Sequence, residues 1–112
     1  MAVARFAPDV TIDAPAAQML AAVLGEVLRC RERRWSGPSR HDVAGVRGRL
    51  EWIACDSVPA VKDDVLDMAV ALLQAAAELH RAGRHGAAMA VEGVEGRLLE
   101  ALLGAGAVEP GS

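Results

Sequence analysis

The stretch from Val58 to Arg81 is apolar on nearly every side of a helix, and no other feature restricts the fold of this chain as much. Val58, Val61, Val65, Met68, Leu72, Ala75 and Leu79 recur at heptad spacing. Leu66, Ala69, Val70, Leu73, Ala76 and Ala77 fill much of the opposite side. Only Asp67, Ala71, Gln74 and Glu78 form a stripe suited to water. A helix that is apolar nearly all round is a buried helix. This segment, the third of four predicted helices, is therefore expected at the centre of the domain or of a dimer.

The flanking segments read as helices that could surround it. Asp13 is a candidate N-cap and Pro15 suits a first turn, where no N–H donor is needed. From there Leu20, Val23, Leu24, Val27 and Leu28 make one apolar stripe, and the first helix is expected to reach about Arg34. Trp35-Ser36-Gly37-Pro38 stops it. Ser39 is expected to cap a second helix, with Asp42 three residues on and Val43, Val46, Leu50 and Ile53 as its core face. Asp56-Ser57-Val58-Pro59 reads as the start of the third helix, with Asp56 or Ser57 as cap and Pro59 in the first turn. Ala82-Gly83 breaks it near Arg81. A fourth helix follows from about His85 to Leu103, facing the core with Ala87, Val91, Val94, Leu98 and Leu102. No segment alternates like a strand.

The expected fold is all-α, a compact antiparallel bundle of about four helices with the third central and buried. Its 112 residues make one domain (1–112), with an extended arm over 1–12 and a flexible tail over 104–112. Composition agrees: 53% of the residues are hydrophobic but only 3% aromatic, so alanine, valine and leucine must build the interior. That apolar share exceeds the usual range of roughly 45–50%. The excess points to burial against a partner, and a homodimer is expected.

Charge is unevenly spread along the chain. Arg29, Arg31, Arg33, Arg34, Arg40, Arg47 and Arg49 face only Glu32 and Asp42 over residues 29–49, a local balance of +5. Residues 58–112 carry −4. Ordinary solvated helix faces explain such a run, and arginines near a helix C-terminus complement its dipole. The alternative is a basic patch for nucleic acid or another polyanion. A second candidate site is the turn holding His80, Arg81, Arg84 and His85, where free N–H groups at a helix start could help hold an anion. Helix-end capping explains the same residues.

No catalytic residue and no cofactor site can be named. The two cysteines, Cys30 and Cys55, have no Cys-x-x-Cys or Cys/His ligand spacing, so no metal site is read; their pairing stays open. Asp63, Asp64 and Asp67 suit the start of a helix. His41-Asp42-Val43-Ala44-Gly45 resembles part of the His-x-x-Lys-Gly stretch of histidine phosphotransfer domains. The match covers His41 and Gly45, and Ala44 stands where the lysine would steady a phosphate. It implies a phosphotransfer or enzyme role for His41, with His80 and His85 as the other candidates. Residues 72–99 are similar to one tetratricopeptide-type helical hairpin, although arrays of that kind need about three.

Residues 1–6 hold no long apolar stretch, and the longest apolar run, Met68–Leu73, is far too short for a bilayer. The expected compartment is the cytoplasm. One lysine against eleven arginines points to a GC-rich bacterial genome. The leading functional expectation is a non-enzymatic helical module for protein–protein interaction, assembly or regulation, probing a partner through its own apolar surface.

Overall fold

The computed structural model describes residues 12–29, 39–56 and 60–104. Four helices account for nearly all of them: α1 (Ala14–Arg29), α2 (Ser39–Asp56), α3 (Lys62–Arg81) and α4 (His85–Gly104). Each packs on its neighbour in the chain, and α1 closes the bundle against α4. No strand occurs among the described residues.

The helix starts show where local signals act. The Oδ1 of Asp13 accepts the N–H of Ala16 at 2.9 Å, so the expected cap of α1 forms and Pro15 sits in the first turn. Ser39 is already the first residue of α2, with Asp42 in its first turn. The start of α3 differs from expectation. Its N-cap is Val61, in extended conformation with no side-chain cap, and Lys62 opens the helix. Asp56 is the last residue of α2, so it is held in that helix and cannot cap the next. Asp63 and Asp64 in the first turn place negative charge at the positive end of α3 instead. The expected roles of Ser57 and Pro59, the reach of α1 from Cys30 to Arg34, and the stop at Trp35–Pro38 lie outside the described residues. So do almost all of the expected arm and tail: Ile12 packs partly buried against the core, and Gly104 still belongs to α4.

The α3–α4 turn is built by backbone chemistry. Gly83 adopts a left-handed φ of 78°. Its N–H donates to the His80 carbonyl at 3.0 Å, and the Arg84 N–H donates to the Leu79 carbonyl at 2.8 Å. These two bonds satisfy carbonyls that the end of α3 would leave unpaired. Glycine tolerates that φ without steric cost, so the Ala82-Gly83 pair fixes the hairpin.

Leu24, Leu50, Leu72 and Leu98, one from each helix, are fully buried in a single core cluster. Small residues fill the gaps between them: Ala17, Ala21, Ala69, Ala75, Ala76 and Ala88. At Gly25 the neighbour is charged, since a Cβ there would lie 3.5 Å from Nε of Arg47.

α3 lies between α2 and α4 and buries Val65, Met68, Ala69, Leu72, Ala75, Ala76 and Leu79. Its second apolar flank is another matter. Leu66, Val70 and Leu73 stand at the surface.

Candidate functional site

The hairpin of α3 and α4 brings together the features that could carry function. At its turn, His80 comes from the last turn of α3 and His85 opens α4. Their Nδ1 atoms are 2.8 Å apart, with ring centroids 5.0 Å apart. The other nitrogen of His80, Nε2, lies 3.2 Å from a carboxylate oxygen of Glu92, about two turns further along α4. A carboxylate only accepts, so Nε2–H of His80 is the donor. In neutral His80 the Nδ1 lone pair then accepts from Nδ1–H of His85. With both rings neutral, these contacts assign one tautomer to each ring of the Glu92–His80–His85 chain. Arg81 is exposed beside it, and Arg84 is half-buried in the turn.

The His80–Glu92 contact also registers the two helices. Leu73 and Leu66 are seven and fourteen residues before His80, and Leu99 is seven after Glu92. In an antiparallel pair these positions run side by side away from the turn. Leu73 and Leu66 on α3 and Leu99 and Leu103 on α4 therefore lie along the facing flanks of the hairpin, further from the turn than His80 and Glu92. Leu66, Val70, Leu73, Leu99 and Leu103 are between 39 and 54% exposed. Isolated exposed leucines are ordinary, whereas four leucines and a valine on one hairpin face make a patch.

Glu95 lies within this seam, three residues from Glu92 and four from Leu99. Burial raises its carboxyl above the ordinary glutamate value, and the nearby Glu92 charge raises it further. A raised folded-state value means that the folded chain binds more protons than the unfolded one. Stability therefore falls as pH rises from the ordinary glutamate value through the folded one. Glu95→Gln removes that cost. Its melting temperature should exceed that of the parent chain at pH 7, and the gain should vanish near pH 4, below both values. Parallel thermal melts at the two pH values check this.

The arginine segment is arranged differently from a single patch. Among its described members, Arg29 pairs with Glu26, Arg47 with Glu51, and Arg49 with Asp64 of α3. Arg40 donates to the Leu28 carbonyl. Arg29 and Arg47 meet over Gly25, in an open groove of about 510 Å³ between α1 and α2 that also exposes Cys55. Arg49 points the other way, toward α3, because residues two apart on a helix do not share a face. A phosphate at three of these four positions would have to displace a carboxylate. Arg31, Arg33 and Arg34 lie outside the described residues.

His41 is apart from the other histidines. It lines an open recess of about 170 Å³ between α2 and α3 with Asp42, Arg49 and Asp67. Arg49 is engaged there by Asp64 at 2.9 Å. Cys55 is a free, exposed thiol.

Sequence reasoning paired His80 with His85 but missed Glu92. His80 lies three residues before Gly83 and Glu92 nine after it, so turn position alone does not pair them; their long side chains meet by leaning toward each other. Compared with known proteins, the chain matches no family model, no curated protein and no solved structure. No described helix is long and apolar enough to cross a membrane.

Proposed function

We propose that the chain is a non-enzymatic helical interaction module that self-associates through the outer face of α3 and α4. The supporting observation is the seam of Leu66, Val70, Leu73, Leu99 and Leu103, which the bundle leaves half in water. A second copy is the favoured occupant because the seam, Glu95 apart, is lined by apolar side chains. Two such faces related by a two-fold axis would each cover the other. The dimensions are adequate. A 20-residue helix is about 30 Å long and two packed helices are about 20 Å wide, a plan area of roughly 600 Å². Stable interfaces bury about 800 Å² per partner, counted over a rough surface. A cytoplasmic location belongs to this reading, supported by the free thiol of Cys55.

The test is solution mass by light scattering on a sizing column, run in reductant over a wide range of protein concentration and at two salt levels. A dimer is expected. Added salt should hold or strengthen it, because apolar contact survives screening and the acidic flanks of two copies repel less. A monomer at every concentration would overturn the reading. Salt also separates this association from polyanion binding, which weakens steeply as salt rises.

A further inference from the structure

The hairpin turn carries a second arrangement that owes nothing to the seam. Two imidazole nitrogens, Nδ1 of His80 and Nδ1 of His85, converge to 2.8 Å at the surface. Two lone pairs cannot face each other at that distance without a cation between them. In the hydrogen-bonded state that cation is a proton. The far nitrogen of His80 donates to Glu92 at 3.2 Å. A carboxylate behind an imidazole is the usual support of a metal-ligating histidine, because it fixes the tautomer, turns the other lone pair outward and raises its basicity.

We propose that His80 and His85 form a two-imidazole site for a divalent transition-metal ion of the zinc, nickel or copper class, with Glu92 as the residue that positions His80. Imidazole suits these ions, whereas magnesium and calcium prefer oxygen ligands. Zinc–nitrogen bonds of about 2.0–2.1 Å at a tetrahedral angle set two ligand nitrogens about 3.3 Å apart. The rings need to part by about half an ångström, a small movement for partly exposed side chains. His80 already holds its proton on Nε2, toward Glu92. His85 moves its proton from Nδ1 to Nε2, where it donates to water, and its Nδ1 lone pair joins that of His80 on the metal. No net proton is released when both rings start neutral. Among the described residues no three His, Cys, Asp or Glu side chains converge as metal ligands. Water therefore completes the coordination shell, and the site is an open clip across the α3–α4 turn.

Binding of zinc ion alone to the full chain tests this, by calorimetry in a non-coordinating buffer and by nitrogen-15 shifts of the histidine rings. One zinc per chain should bind at sub-millimolar concentration, with the large shifts at Nδ1 of both rings. His80→Ala and His85→Ala should each lose it while keeping the helical circular dichroism of the parent. Glu92→Gln should weaken it by about tenfold or more, the size of effect expected for an outer partner of a ligand. Lowering the pH should weaken it as well, since protons compete for the same nitrogens. Absence of saturable binding overturns the proposal. So does binding that survives His80→Ala, which would place the zinc at His41 or a cysteine, and so do shifts confined to Nε2. Each result is independent of whether the chain dimerises.

Discussion

Leu73→Glu should convert the self-associated protein to a monomer without disturbing its fold. Leu73 is 53% exposed and sits mid-seam, so a glutamate there reaches water in the isolated bundle. In a two-fold interface the same change acts twice. It removes leucine burial worth up to about 2 kcal/mol and places a carboxylate in apolar surroundings, at a further cost of several kcal/mol if it stays charged. A net loss of roughly 3 kcal/mol or more weakens the dimer at least about a hundredfold. Light scattering reads the loss, and circular dichroism checks that helix content is kept. Met19→Glu is the control. Met19 is also half-exposed, but it lies on α1 beside the end of α4 remote from the turn, away from the Leu73–Leu99 row. Its substitution should leave the mass unchanged. Equal effects of the two variants would show that general charge, and not this face, controls association.

The contrast between α2 and α3 explains how far the fold was legible in the sequence. On α2, mostly small or charged residues separate Val43, Val46, Leu50 and Ile53, so periodicity identifies the buried face, and all four are buried. On α4 the same reasoning places Val91, Val94, Leu98 and Leu102. On α3 there are two apolar flanks and few polar residues to choose between them. Hydrophobicity would rank Leu66 and Leu73 as the better core residues. The bundle instead buries Ala69 and Ala76 and leaves those leucines at the surface. Ala69 and Ala76 flank the buried Val65, Met68, Leu72 and Leu79 on the helix surface, whereas Leu66 and Leu73 lie one position further round. The heptad Val65, Met68, Leu72, Ala75 and Leu79 was readable and is buried; that the second flank at Leu66, Val70 and Leu73 would stay at the surface was not.

The candidate sites divide along similar lines. Local signals, such as Asp13 at a helix start or Gly83 at a helix end, act within four residues and were readable. The pairing of His80 with Glu92 spans twelve residues and a turn, and it depends on helix rotation. The arginines of segment 29–49 are close in sequence, yet Arg47 and Arg49 go to different flanks and find Glu51 and Asp64. Clustering along the chain is not clustering in space when the chain is helical.

Neighbouring leucines on α3 allow the orientation of that helix to be measured directly. Leu72 is fully buried and Leu73 half-exposed, although they are identical in chemistry and adjacent in the chain. Leu72→Ala removes three carbons from the core and leaves a cavity whose walls relax only in part. The expected cost is about 2–5 kcal/mol. In a domain of this size that is a large share of a total of about 5–15 kcal/mol, and it lowers the melting temperature by roughly ten degrees or more. Leu73→Ala opens no cavity within the bundle. Once association is removed by dilution, its cost should stay below about 1 kcal/mol. Urea unfolding of both variants at low protein concentration measures the difference. If the two costs are equal, α3 is rotated from the position described, and the seam then belongs to the core. If Leu72→Ala is the costly change, α3 faces inward with its alanines and Leu72, and the apolar surface at Leu73 is left for another molecule to cover.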